Sequence, residues 1–199
     1  MYIEKSAIEN YLLVDIDGSM DVQINAWITA AQNYVEIYTG RKFEATDEET
    51  RYYDGAGGRT FYLDDIVSIT SVQTLDLDGS TVDQTLVEDT DYFAYPLNDT
   101  PKHILKLAPE GSNIGKWPKG KKRIKVTGDF GYNSTVPEDI KLAVTQLVSA
   151  IVNVGRQGSE GGISSESLGD YSVTFGSLDE LAIKLGIKPI LDSYKLLTL

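Results

Sequence analysis

Apolar residues recur at helical spacing near both ends of this sequence, and at alternate positions through much of its middle. That period selects the local structure, because one helix face repeats about every 3.6 residues and one strand face every two or so. A chain that changes period twice must build a helical part from its two ends and a β part from the segment between them. We therefore expect an α+β fold. A mainly helical bundle would form from residues 1–45 and 135–199, with an inserted antiparallel β-rich subdomain at 46–134. Hydrophobic residues make up 41 % of the 199, enough to fill cores of that kind.

Residues 4–14 read as a short helix with Ile8, Leu12 and Leu13 on one side. The stretch from Asp15 to Ser19, DIDGS, breaks it, since Gly and Asp tolerate turn dihedrals. Ser19 is the expected N-cap of a second helix, with Asp21 near its positive end. Ile24, Trp27, Ile28, Ala31, Tyr34 and Val35 follow helical spacing, and Gly40 sits where a left-handed residue ends a helix. Each large side chain on that stripe contributes roughly 1.5–3 kcal/mol if buried, which makes the helix a core element.

After Phe43 the pattern turns to short β-rich runs at 49–53, 60–63, 66–77, 91–95, 103–107 and 123–127. Turn signals such as Asp54-Gly55, Asp78-Gly79 and Asn98-Asp99 separate them. Helical period returns at Val136-Pro137-Glu138-Asp139, where proline and two acids suit a first turn. Its apolar stripe runs from Ile140 to Val154, and Gly155 ends it. A polar loop follows at 158–167, then an alternating run at 170–175 that reads as a strand. Residues 178–185 and 190–197 read as short helices, parted near Lys188-Pro189.

The absence of cysteine excludes a disulfide, a thiolate metal site and a cysteine nucleophile, and fits folding in a reducing cytosol. No targeting segment is visible, because Glu4 and Glu9 stand where a signal peptide would be basic and then apolar. The run from Ile140 to Val154 is interrupted by Lys141, Gln146 and Asn153 and is too polar to span a bilayer, so no membrane partner is expected. The net charge of −12 argues against nonspecific DNA binding on the outer surface. That charge is uneven: residues 1–100 carry 5 basic and 20 acidic residues, and 101–199 carry 13 and 10. Such asymmetry can orient subunits, acidic edge against basic edge, or can be no more than a solvated acidic surface.

Several constellations invite chemistry and then fail the spacing it needs. Asp15, Asp17 and Asp21 resemble the start of a calcium loop, but Met20 and Ala26 occupy the positions that need glycine and a carboxylate. Asp64-Asp65 and the pair Asp76 and Asp78 fall at expected strand ends and turns, where Asp bonds locally. A carboxylate or metal-dependent enzyme would need all four to meet in space. His103 is the one histidine, lies in a strand-like KHILKL, and has no nucleophile motif to serve. The glycine-rich run from Gly55 to Thr60 lacks the lysine and following helix of a phosphate loop. No catalytic residue, metal or cofactor is expected.

Lys116, Lys119, Lys121, Lys122, Arg123 and Lys125 form a basic cluster beside Trp117 and hold six of the eighteen positive charges. Three readings stay open for it: an edge-strand guard, docking to an acidic neighbour, and nucleic-acid binding with Trp117 as a stacking platform.

Two segments resemble a known family. AWITAAQNYVEIYTGRKFE, from Ala26 to Glu44, is similar to the second helix of the tailed-phage head–tail connector (adaptor) family, with its Thr39-Gly40-Arg41-Lys42-Phe43 ending. VPEDIKLAVTQLVSAIVN, then ISSESLGDYSVTFG, then ILDSYK resemble the same family's C-terminal half. Together they cover under half of the chain, and the β-rich middle is like that of longer members that carry an insertion. The resemblance implies a structural virion protein, not an enzyme. It would form a ring of copies beneath the portal protein, with a head-completion or tail protein downstream and DNA only in transit. It would sit at the head–tail junction of the virion and assemble in the bacterial host cytoplasm. Arg41 and Lys42, with Ile163, Ser164, Ser165, Glu166, Ser167, Leu168, Gly169, Asp170 and Tyr171, become the expected contacts with a neighbouring subunit or the portal. Another virion role, in tail completion or a baseplate with the β subdomain binding a neighbour or a glycan, is the alternative within the same class.

Overall fold

The computed structural model describes residues 1–157 and 175–196. The chain divides into two compact units, one from residues 1–41 and 136–199, the other from 42–135.

In the first unit, α1 (Lys5–Leu12), α2 (Asp21–Thr39), α3 (Glu138–Gln157), α4 (Phe175–Lys184) and α5 (Lys188–Tyr194) pack around one apolar core. The α2 stripe is buried from Ile24 to Val35, and it faces Ile140, Val144, Leu147 and Ile151 of α3, each fully buried. Helix α1 packs on α3, and α4 and α5 pack on α2. The N-cap expectation is corrected: α2 follows Met20 with no side-chain cap, and Asp17 caps the short turn ahead of it. Ser19 is a donor instead of the cap: its N–H bonds to the Asp17 carboxylate at 2.8 Å and opens a short 3-10 turn (Gly18–Met20) ahead of α2. Gly40 ends α2 at φ 72°, and its N–H reaches the Glu36 carbonyl at 2.8 Å. Of the expected strand at 170–175, residues 170–174 lie outside the described residues, and Phe175 opens α4.

The second unit is a six-stranded antiparallel sheet of β1 (Glu49–Ala56), β2 (Thr60–Leu75), β3 (Val82–Leu86), β4 (Tyr92–Tyr95), β5 (Lys102–Leu107) and β6 (Lys119–Phe130). The order is β1-β6-β2-β5-β4, and β3 pairs with the second half of β2. One face buries Ile66, Val72, Leu105, Ile124, Val126 and Phe130. The other face is polar, as an antiparallel sheet with one solvated side should be. There the register aligns Tyr52, Lys125, Gln73 and Thr85 in one row across four strands, and Thr50 meets Thr127 at 2.9 Å in the next.

The α+β class holds, but the molecule is not a mainly helical bundle, since helix and strand take comparable shares. The fold holds more β structure than the sequence pattern displays, for a physical reason. Asp64-Asp65 looks like a break between two strands, yet β2 runs through it for 16 residues. The Asp64 carboxylate accepts from the Arg51 guanidinium and the Tyr53 hydroxyl, both at 2.9 Å, so a charge can sit mid-strand. Strand β3, VDQTL, is exposed over most of its length and shows no apolar alternation to detect.

Candidate assembly surfaces

One end of the sheet gathers the charged residues that the sequence singles out. Strand β1 ends at Asp54-Gly55-Ala56, β6 begins at Lys119, and the β2–β3 turn (Asp76–Thr81) lies alongside. Gly79 takes φ 71° in that turn, and a Cβ there would stand 3.0 Å from the Lys122 carbonyl. The turn therefore needs glycine both for its dihedral and for its close approach to β6.

The basic cluster divides by role. Arg123 is structural: its guanidinium donates to the carbonyls of Leu75 at 2.8 Å and Lys119 at 3.3 Å, tying the end of β2 to the start of β6. Lys122 places its ammonium 4.6 Å from the centre of the Tyr52 ring, and its N–H donates to Asp54 at 2.8 Å. Lys116, Lys119 and Lys121 are exposed and make no ion pair among the described residues, and Lys125 lies on the polar row of the sheet.

One of the three readings of the cluster loses its footing. Strand β6 lies between β1 and β2, but its pairing with β2 starts only at Ile124, so Lys119 and Lys121 stand on a stretch paired with β1 alone and the edge-guard reading stays open. Trp117 is buried at 1 % exposure and packs on Phe61 at 5.4 Å between ring centroids, so it offers no platform to a base. Docking to an acidic neighbour keeps its basis, in three free ammonium groups.

Beside the lysines stands the acidic turn. Asp76 accepts from the N–H groups of Ser80 and Thr81 at 3.3 and 3.2 Å, and Asp78 accepts from the Ser80 N–H at 2.8 Å. The hydrogen bond with Asp76, then those from Ser80, pull the Asp78 carboxyl down to about 2. Asp76, Leu77, Asp78, Asp83 and Arg123 surround an open hollow of about 420 Å³. Leu77 projects from it at 89 % exposure, an apolar side chain between two carboxylates. Sequence reasoning passed over Leu77. Its signal was present in Asp76-Leu-Asp78-Gly79, a large apolar residue inside a two-acid turn.

The other candidates fall in separate places. Asp64 and Asp76 stand twelve residues apart, eleven of those steps along β2, which at about 3.3 Å per residue keeps the two acid pairs from meeting. His103 lies half-exposed on β5 with no hydrogen-bonded nucleophile or acid. Asp17 caps its own turn and Asp21 pairs with Lys5 at 2.7 Å. The Gly57-Gly58 loop joins two strands and lends its Gly58 carbonyl to the Trp117 N–H at 2.8 Å. Among the described residues, no three His, Asp or Glu side chains group as a metal would require, and no helix is long and apolar enough to cross a membrane.

Of the expected contact residues, 163–171 lie outside the described residues. Arg41 turns inward to the first unit, where its Nε donates to the Tyr194 carbonyl at the end of α5. Lys42 is exposed in the second unit. A groove of about 630 Å³, absent from the sequence reading, runs between the N-terminal segment with α1 and the start of α3, with Met1, Tyr11 and Leu142 on its walls.

These features define an α+β fold with charged and apolar surfaces open to contact. Comparison with known proteins makes the assignment narrower. The sequence matches the head completion protein family over residues 6–195. Two solved chains share the fold at 12 % identity. One, from the neck of an empty GTA particle computed with C6 symmetry, has a TM-score of 0.59 with 100 % of this chain and 91 % of that chain covered. The other, from the neck of a native GTA particle computed with C12 symmetry, has a TM-score of 0.54 with 98 % and 91 % covered. No individual curated protein matches by sequence. This chain belongs to the head completion protein family and is a structural head–tail connector of a phage-like particle.

Proposed function

We propose that copies of this chain form a ring beneath the portal protein of a tailed, double-stranded DNA phage or prophage, with a head-completion or tail protein docked below. DNA crosses the ring during packaging and ejection. The observation that carries this reading is the family match over residues 6–195, joined to a fold that recurs in two symmetric particle necks. In this reading residues 1–45 and 135–199 are the connector core and 46–134 an insertion that adds contact surface. Assembly takes place in the host cytoplasm.

Charge supports the reading. A net −12 per copy, summed around a ring, keeps DNA from adhering to the passage it must leave. We read the chain as a scaffold and not a catalyst, because its acids are spent on turns, caps and struts such as Asp17, Asp64 and Asp76. Residues 163–171 and Lys42 are the proposed contacts with a neighbouring copy or the portal, and the exposed lysines of β6 are a further one. The mass of the purified chain, alone and with the cognate portal ring, tests the proposal. A ring-sized mass or capture by the portal is expected. A strict monomer that the portal ignores overturns it and moves the chain to another virion role. Deleting residues 158–167 is expected to impair assembly or portal capture.

A further inference from the structure

The end of the sheet in the second unit carries a set of carboxylates and a set of lysines that make no ion pair with each other. Lys116, Lys119 and Lys121 are exposed and make no ion pair among the described residues. The carboxylates of Asp76, Asp78 and Asp83 make none either, although Arg123 shares their hollow. The Arg123 guanidinium is turned to the carbonyls of Leu75 and Lys119 instead. The acidic patch is held in place by the backbone. The acidic turn is fixed by bonds from Ser80 and Thr81 and by Gly79 against Lys122. The lysines stand on the first residues of β6 and the loop before it. At the tip of the acidic turn Leu77 is 89 % exposed, an apolar side chain that gains from being covered.

We propose that the Asp76–Ser80 turn of one copy, with Asp83 beside it, docks on Lys116, Lys119 and Lys121 of the next copy. The inference rests on the ring reading above and names the contact that the inserted unit supplies to it. The partner is a second copy because the chain itself presents both halves of the match. A head-to-tail contact lets each copy use its turn on one neighbour and its lysines on the other, which is the requirement for a closed ring. Leu77 would lie along the aliphatic stems of the lysines, whose ammonium groups reach past it to the flanking carboxylates. Duplex DNA is the competing occupant of a lysine patch. The net charge of −12 disfavours it, since phosphate attraction needs a basic face.

A charge-reversal pair tests this. K119E/K121E reverses one patch, and D78K/D83K reverses the other while leaving the Asp76 turn bonds in place. Self-association is measured by sedimentation equilibrium of the full chain, with circular dichroism to confirm folding. Each variant alone is expected to self-associate at least tenfold more weakly than the parent. An equimolar mixture of the two is expected to regain assembly, because every turn then faces a patch of opposite sign in alternating order. The neutral variants K119Q/K121Q and D78N/D83N should show the same trend more weakly, which guards against loss of fold in a reversed variant. Reversed variants that assemble like the parent, or a mixture that fails to recover, overturn the proposal while leaving the ring intact. An effect of the lysines alone also overturns it and assigns them to another anionic partner. A parent chain that never self-associates at any concentration or salt overturns the ring reading itself.

Discussion

Tyr34 and Asp179, 145 residues apart, meet in a hydrogen bond of 2.9 Å from the phenol to the carboxylate. Lys188 completes the site with an ion pair to the same carboxylate at 2.9 Å, so one acid joins α2, α4 and α5. The Lys188 hydrogen bond first, and the Tyr34 bond second, hold the Asp179 carboxyl below its ordinary value of 3.8. A depressed folded-state value means that its stabilisation is present above pH 3.8 and is lost as the pH falls through the folded value. Asp179→Asn is therefore expected to melt below the parent at pH 7. The gap should close in melts taken progressively below the ordinary carboxylate value. A gap that stays constant into that range would show that the carboxylate charge plays no part.

Arg51 makes three contacts at once. Its guanidinium bonds to Glu49 at 3.0 Å and Asp64 at 2.9 Å, and lies 4.2 Å from the centre of the Phe130 ring. A planar fork can pair and stack together, and an ammonium cannot. Arg51→Lys should lower stability by about 1 kcal/mol, or roughly 2–4 °C in Tm for a chain of this size. Thermal melts of the pair Arg51→Lys and Asp64→Asn, with the double variant, would show whether the two side chains are coupled.

Trp117 is a core residue, despite standing among lysines. Trp117→Ala should cost about 3–5 kcal/mol, the usual loss for a buried tryptophan. Trp117→Phe should cost much less, because its indole N–H is buried without a partner and nothing is orphaned by its removal. Trp27 is also buried, at 3 % exposure, so iodide should scarcely quench the fluorescence of the native chain. A single-stranded oligonucleotide should not quench it at all.

Arg41 is a strut for the C-terminal helix. Its bond to the Tyr194 carbonyl acts with that from the Leu196 N–H to the Thr39 carbonyl, at 2.9 Å, to close α5 onto the end of α2. Arg41→Ala is expected to raise hydrogen exchange over residues 188–196 and to lower stability by about 1–2 kcal/mol. Self-association per folded molecule should not change. A variant of parental stability that no longer assembles would return Arg41 to the interface.

What the sequence could reveal was what local spacing controls. The α2 stripe and its Gly40 stop are legible because both are read within one turn of helix. Asp64 within β2 was not legible, because the arginine that neutralises it lies 13 residues earlier on another strand. Trp117 looked available because its neighbours in sequence are lysines, whereas its neighbours in space are Phe61 and the core of the sheet. The lysine cluster itself was plain in the sequence. That an acidic turn would be set against it follows only from the register of β2, β3 and β6. Residues 163–171, which the family resemblance picks out, lie outside the described residues.

The division of the chain into a contiguous unit at 42–135 and a split one also sets an order of events during translation. Every strand of the sheet has left the ribosome once residue 130 is clear, so that unit can fold while synthesis continues. Helices α1 and α2 are made first yet must wait for α3, the helix both of them pack against. The apolar faces of α1 and α2 therefore stay uncovered until α3 has been made. For a subunit that has to meet its neighbours in a fixed order, the sheet and its charged end are finished while the helical unit is still incomplete.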